Sequence, residues 1–539
     1  MTDEVSSRLG IVVSGSLNKG IEIRLDGMVS VEDIVVGRYV VIEGKKQRFF
    51  GMLTDISLEV ADPEIAFSPP DSADPFTAEV LAGTGTYGLG HVLPLLSIGD
   101  VTSLAGETKP VKTVPGHFSV VKLASQEDIE LVFGPEDEKR FYVGSPLDME
   151  TKICLDLEEL VKRSNGIFGK SGTGKTFLTR LLLIGMLQKS RAVNLIFDMH
   201  NEYGWAGSSE RGHKVKALKQ LFPSRVAVFT LDEENSKVRR VSTDFVVRIG
   251  YDEVEPEDIA LLRQTLGLTE PAVEAVYQVA RRFGRNWLKK VLELDDTEAI
   301  KDLREELNIH ESTFQNLKRG LGIIKRMPFM VPHVTEKAVA RILEYLGRGI
   351  NVVLEFGRFR DITAYVLVAN MLSRRIYDQY QTLMEKAMGT DGVQPQPLVI
   401  TIEEAHKFLS PEVASQTIFG TIAREMRKYN VTLLIIDQRP SGIDEEVLSQ
   451  LGTKITCLLD NERDVDCVLA GVSGKSELKT VLSRLESRQQ ALIFGHAVPM
   501  PAPIRIREYG SAESYRSFAL GDHGGSKQQA QKDIEELWG

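Results

Sequence analysis

The sequence predicts an α/β fold with a small β-barrel in front and a helical block inserted into the α/β core. Three observations predict it. Residues 1–150 carry short alternating or β-branched runs separated by turn residues. From about residue 150, continuous apolar runs alternate with helical patterns. Between Glu255 and Arg326 those runs stop, and only apolar residues at helical spacing recur.

Each element follows from its local pattern. In the front module, runs at 10–13, 21–25, 39–42, 49–60, 78–81 and 118–121 read as strands of a small barrel spanning 1–150. Residues 61–76, with Pro63, Pro69, Pro70 and Pro75, read as a surface excursion. The core is expected over 151–250 and 330–510. Its apolar runs at 194–198, 225–231, 351–356, 398–402, 431–436, 454–459 and 491–494 fit strands buried on both faces of a largely parallel sheet. Chemistry in such a doubly wound sheet is expected at the carboxyl ends of the strands. The helical insertion covers 251–329, with Pro256 near its first helix start. The tail, 511–539, is polar. It carries a Gly524-Gly525-Ser526 joint and a short terminal helix over 530–538.

Composition bounds the class. The chain has 539 residues, 42% hydrophobic and 26% charged, as in a globular protein with room for a large core. No apolar run approaches the ~18 residues of a membrane helix, and the polar start lacks the apolar core of a secretory signal. Three cysteines (Cys154, Cys457 and Cys467) are too few for a disulfide framework and show no metal-ligand clustering, which fits a reducing cytoplasm. A net charge of −11 argues against a globally basic nucleic-acid coat, but it leaves room for a channel lined by a few cations.

The motif Gly169-Lys170-Ser171-Gly172-Thr173-Gly174-Lys175-Thr176 decides the chemistry. Its glycines let backbone N–H groups turn inward around the phosphates of a nucleotide. Lys175 reaches the outer phosphates, and the Thr176 hydroxyl takes one position on Mg²⁺. The apolar run that follows opens a helix whose amino terminus favours the anion. Downstream, the apolar stretch 397–402 ends in Glu403-Glu404-Ala405-His406. Two acids at such a strand end supply a magnesium-side carboxylate, Glu403, and a base for the attacking water, Glu404. Another strand ends in Asp437-Gln438-Arg439-Pro440, where Gln438 is placed to sense a γ-phosphate or orient water. Arg424 and Arg427 lie at an apparent helix end. They are candidates for stabilising a transferring phosphoryl group, although a solvated cationic terminus complementing the helix dipole is the simpler reading of their spacing.

These motifs resemble those of the HerA family of hexameric DNA-translocating ATPases. The resemblance rests on Glu403-Glu404-Ala405-His406, Arg424-Glu425-Met426-Arg427-Lys428-Tyr429, Gln438-Arg439-Pro440 and Asp198-Met199-His200-Asn201-Glu202-Tyr203. The front module is similar to that family's HAS barrel, and the resemblance extends over roughly residues 8–510. It implies a RecA-like P-loop core in a homohexameric ring, with ATP and Mg²⁺ at subunit interfaces and double-stranded DNA in the pore. It also implies Glu404 as catalytic acid, Gln438 as sensor, and Arg424 or Arg427 acting in trans. Arg163 matches a family arginine just upstream of the phosphate loop, but Ser164 stands where a histidine is usual. Glu403 stands where aspartate is usual. Arg211, Lys214 and Lys216 are candidate pore contacts, with a solvated loop as the alternative. The family further implies a nuclease or other effector as partner, in DNA end processing or antiphage defence. A ring scaffold whose nucleotide state controls a partner enzyme is the competing reading. The front barrel and the lack of a membrane segment count against a conjugation or secretion ATPase, and a rotary synthase subunit fits the acid pair and Gln438-Arg439-Pro440 less well.

Overall fold

The computed structural model describes residues 8–27, 29–69, 75–99, 108–208, 214–359, 361–389, 394–425 and 428–520. The expected joint at 524–526, the terminal helix at 530–538, Arg211 and Arg427 lie outside the described residues. The chain divides into two compact units. One comprises Met1–Asp156, Phe168–Gly174 and Thr453–Arg507, and the other Leu157–Ile167, Lys175–Gly452 and Glu508–Gly539.

In the first unit, seven strands form the front module: β1 (Arg8–Ser16), β2 (Gly20–Leu25), β3 (Tyr39–Glu43), β4 (Arg48–Val60), β5 (Thr86–Ile98), β6 (Thr108–Pro110) and β7 (Val120–Leu123). Six of them run β2-β1-β7-β3-β4-β5, and β5 pairs back onto β2, so the sheet closes on itself while β6 extends β5. Closure pairs the edges that β2 and β5 would otherwise leave open. Alternate residues, among them Val12, Ile21, Ile23, Val40, Ile42, Leu53 and Val121, fill the interior.

Helices in this module were not expected, and three α-helices occur among the described residues. The segment between β4 and β5 forms helices Pro63–Phe67 and Pro75–Thr84, so the apolar run at 78–81 is helical rather than a strand. A four-residue apolar run carries no period that separates the two states. Asp62 caps the first helix by accepting the Glu64 N–H at 2.9 Å, and Pro63 sits at its first position, where its missing N–H costs nothing. A further helix, Gln126–Phe133, starts at a Ser125–Asp128 capping box. Beyond the barrel, β8 (Arg140–Ser145) and β9 (Ile153–Asp156) pair antiparallel.

The second unit holds the parallel sheet. Its strands are β10 (Asn165–Phe168), β11 (Val193–Asp198), the two-residue antiparallel ladder β12 (Gly207–Ser208) and β13 (Lys214–Val215), β14 (Val226–Thr230) and β15 (Phe245–Val246), followed by β16 (Ile249–Gly250), β17 (Met330–Val331), β18 (Asn351–Glu355), β19 (Leu398–Glu403) and β20 (Val431–Asp437). The order is β15-β14-β18-β11-β19-β20-β10. β14 runs parallel to β15 and β18, β11 to β18 and β19, and β19 to β20. Every residue of β11, β14, β18, β19 and β20 is buried, as expected for strands covered on both faces.

The helical insertion consists of Pro256–Leu261, Glu270–Phe283, Trp287–Glu293, Thr297–Leu307 and Glu311–Lys325. Trp287, Leu288, Val291, Val276, Phe314 and Leu317 form its interior. Its two ends meet. β16 and β17 pair in parallel on either side of it, with Ile249 opposite Met330. Arg374 and Arg375, on the long helix Ile362–Gly389, hold the start of the insertion through Asp258 at 3.0 Å and Glu253 at 2.9 Å.

The apolar runs at 454–459 and 491–494 were read as part of a largely parallel sheet. In the first unit they form β21 (Thr453–Thr456) and β22 (Gln490–Gly495), which pair antiparallel with each other, and the antiparallel order continues through β23 (Ala502–Ile506), β8 and β9. Burial on both faces gives the same apolar run whichever way a neighbour points. Among the described residues, no helix is long and apolar enough to cross a membrane.

Candidate nucleotide site

The phosphate loop follows β10 directly. Gly169, Gly172 and Gly174 have φ of 154°, 80° and 93°, a region that side chains other than glycine rarely adopt. At Gly169 a Cβ would also lie 2.8 Å from Cys457 Cβ, whereas Gly172 and Gly174 face open space. The loop is held from its outer side. The Lys170 N–H donates to the Leu458 carbonyl at 3.1 Å, Lys170 Nζ lies 2.9 Å from Asp460 Oδ1, and the Thr173 hydroxyl donates to the Lys170 carbonyl at 2.9 Å. Lys175 and Thr176 then open the helix Lys175–Gln188, whose first-turn N–H groups have no partner within the helix. Both side chains are partly exposed.

The acid pair sits at the carboxyl end of β19, and its two members differ. Glu403 is buried. Its Oε1 accepts the Tyr203 hydroxyl at 2.9 Å, and its Oε2 is buried without a hydrogen-bond partner among the described residues. Tyr365 fixes its backbone, because the Tyr365 hydroxyl donates to the Glu403 carbonyl at 3.1 Å and accepts the Glu403 N–H at 3.2 Å. Burial, and then the charge of Asp198, push the Glu403 carboxyl up to about 8. An orphaned carboxylate oxygen suits a hard cation that takes oxygen ligands. Thr176 and Glu403 are therefore the groups that fit Mg²⁺ here, although no cluster of three acidic, histidine or cysteine ligands occurs among the described residues.

Glu404 turns outward. Its φ of 50° is a left-handed conformation uncommon for a residue with a Cβ, and such strain concentrates at functional positions. The Gln438 amide donates to Glu404 Oε1 at 3.2 Å from the end of neighbouring β20. Asp437, buried one residue earlier, organises both turns. It accepts the backbone N–H groups of His406 and Arg439, each at 2.7 Å, and lies 2.9 Å from His406 Nδ1. His406 Nδ1 is also 3.8 Å from Glu404 Oε2.

The hydrogen bond to Asp437 is the main cause that raises the His406 pKa. Protonated His406 therefore contributes stability fully below the unfolded-state pKa of about 6.5, and that contribution is lost as pH rises through the higher folded-state value. Melting temperatures measured from pH 5.5 upward should fall less steeply for His406→Ala than for the parent protein. Parallel profiles would remove this role.

A second set of contacts surrounds the end of β11. Asp198 accepts the N–H groups of Glu202 and Tyr203 at 2.8 Å and of Gly204 at 3.3 Å, which folds the following turn over its carboxylate. The buried guanidinium of Arg180, on the phosphate-loop helix, donates through Nε to the Glu202 carbonyl at 3.1 Å. Opposite Asp198 on β18, Glu355 pairs with Arg239 at 2.7 Å, and burial lifts its carboxyl to about 7.

The remaining candidates are spread more widely. Arg424 lies in the last turn of the helix Ile418–Glu425, 3.2 Å from Glu446. Arg163 packs its side chain against Gly452, where a Cβ would come within 2.6 Å of it. Ser164, in the place of the usual histidine, is buried, and its hydroxyl accepts the Leu433 N–H at 3.1 Å. Lys214 lies on β13, and Lys216 sits over the Tyr515 ring at 5.6 Å while its N–H donates to the Tyr515 hydroxyl at 2.9 Å. Tyr203, Tyr365 and Asp437 were given no role from sequence. Tyr203 stood in the 198–203 motif, but the proximity of all three to the acid pair needs strand order to be read.

A glycine cradle for phosphates and a strand-end acid pair are the working parts of a P-loop ATPase, and this protein is one. Its sequence is similar to that of the HerA family. Residues 141–376 match the family described as Helicase HerA, central domain, and residues 9–90 match the HAS barrel domain. A relative from Pyrococcus furiosus, named DNA double-strand break repair helicase HerA, is 24% identical over 421 residues, which cover 75% of each chain. The protein of the same name from Sulfurisphaera tokodaii is 24% identical over 427 residues, 78% of this chain and 80% of its own. Among solved structures, VirB4 of Thermoanaerobacter pseudethanolicus aligns at 15% identity with a TM-score of 0.46, over 71% of this chain and 100% of its own.

Proposed function

We propose that this protein is an ATP-driven translocase of double-stranded DNA that works as a homohexamer with nucleotide at its subunit interfaces. The observation that carries the reading is the Glu404–Gln438 hydrogen bond, 3.2 Å long, which joins a strained strand-end acid to the amide of the next strand. The naming of several relatives as DNA double-strand break repair helicases supports DNA as the track.

In this reading, backbone N–H groups of residues 169–176 cradle the phosphates of ATP, and Lys175 contacts the outer ones. Thr176 and Glu403 would hold Mg²⁺, which would supply positive charge to offset that of the phosphates. Glu404 accepts a proton from the attacking water while Gln438 orients the water or the acid. Arg424 or Arg427 of a neighbouring subunit stabilises the charge on the transferring phosphoryl group. Cations lining the pore, with Arg211, Lys214 and Lys216 as candidates, follow the phosphate backbone without reading sequence. A nuclease or another effector enzyme is the expected partner, in DNA end processing or antiphage defence.

The test is ATP turnover with and without linear duplex DNA, together with the mass of the particle in solution. DNA stimulation by a six-subunit particle is the expected result. A six-subunit particle whose turnover ignores DNA would favour the nucleotide-controlled scaffold instead, and a monomer under both conditions would end the motor reading.

A further inference from the structure

The two groups that fit Mg²⁺ come from different elements, Thr176 from the phosphate-loop helix and Glu403 from the end of β19. Glutamate at the second position adds a methylene and a rotatable bond, so its carboxylate has more ways to miss a cation than aspartate would. Something must restrict it. Tyr365 fixes only the Glu403 backbone. Among the described residues the carboxylate itself is gripped once, by the Tyr203 hydroxyl at 2.9 Å, which leaves the buried Oε2 without a hydrogen-bond partner.

Tyr203 is itself held from two sides. Asp198 accepts the N–H groups of residues 202–204, and Arg180 draws in the Glu202 carbonyl at 3.1 Å. Arg180 lies one helical turn beyond Thr176 on the same helix, Lys175–Gln188. A continuous set of contacts therefore runs from the helix bearing Thr176, through the 198–204 turn, to the Glu403 carboxylate. Both tyrosines are wholly buried, so these hydroxyl bonds face no competition from water.

From this geometry we infer that Tyr203 is a positioning residue for Mg²⁺ binding: it orients the Glu403 carboxylate and ties its place to the helix that carries Thr176. The inference rests on Glu403 being a Mg²⁺ ligand. Partners that orient metal ligands typically contribute about 10–100-fold in metal affinity.

The experiment follows binding of a fluorescent, non-hydrolysable ATP analogue to the full-length protein over a series of Mg²⁺ concentrations. Tyr203→Phe removes one hydroxyl and keeps the ring. It should raise the half-saturating Mg²⁺ concentration about tenfold, with nucleotide binding in excess EDTA unchanged. Glu403→Ala should raise it at least as much, and adding Tyr203→Phe to Glu403→Ala should raise it no further, because residues acting through one contact are not additive. Should Glu403→Ala melt too low to assay, Glu403→Gln, which keeps the side-chain length but removes the negative charge that a hard cation needs, takes its place. An unchanged Mg²⁺ requirement in Tyr203→Phe, with a raised one in the Glu403 variant, overturns the role of Tyr203 and leaves the ligand assignment standing. A full tenfold cost of Tyr203→Phe on top of Glu403→Ala also overturns it. No change in any variant removes Glu403 from the metal, and the positioning role with it.

Discussion

Glu404→Gln should bind ATP as the parent protein does and hydrolyse it roughly 10²–10⁴-fold more slowly, the range expected when a positioned general base is lost. The substitution keeps size and a hydrogen-bonding end but removes the ability to accept a proton. Its partner Gln438 offers an amide donor to Glu404 Oε1, and glutamine at 404 can still present an oxygen to it, so the local geometry has no reason to collapse. Lys175→Ala should behave differently, losing nucleotide binding together with turnover, because the ammonium acts on ground-state phosphates as well as on the transition state. Equilibrium binding of a fluorescent ATP analogue, set beside phosphate release, separates the two. Unimpaired turnover in Glu404→Gln would remove Glu404 from the chemistry. Impaired binding in that variant alone would make it a structural residue.

Trp287→Ala should cost about 3–5 kcal/mol within the helical insertion, the usual range for deleting a large buried aromatic. Trp287 is 1% exposed, and its indole N–H donates to the Val254 carbonyl at 3.0 Å, so truncation leaves both a cavity and an unpaired acceptor. The insertion has its own interior, and its unfolding should appear as a separate early transition rather than a shift of the whole melting curve. Limited proteolysis at moderate temperature should cut within 251–329 while nucleotide binding persists. Simultaneous loss of nucleotide binding would mean that the insertion and the sheet fold as one.

Much of this architecture was legible because its signals are local. The phosphate loop is spelled by glycines and a lysine within eight residues. Strands buried on both faces announce themselves as apolar runs, and strand-end acids follow directly. Features that depend on which strands are neighbours were not legible. The runs that became β21 and β22 have the composition of parallel core strands, and only their pairing shows that they run antiparallel to each other. The run at 78–81 was too short to show a helical period and became part of Pro75–Thr84. Within the site, Tyr203 stood in a recognised motif, yet nothing in the chain says that its hydroxyl reaches a residue 200 positions away. The lone oxygen of Glu403 and the inverted backbone of Glu404 are likewise products of three-dimensional assembly.

The side-by-side pairing of Ile249–Gly250 with Met330–Val331 has a consequence for how such a chain can diverge. Because the polypeptide departs and returns at adjacent points, the span from one to the other behaves as a cassette. Its length, sequence and helix number can change without moving the strands that bear Asp198, Glu403 or Gln438. New recognition surfaces can therefore be acquired at that junction while the hydrolytic machinery keeps its dimensions, and the same junction is the natural place to graft a tag or a foreign domain.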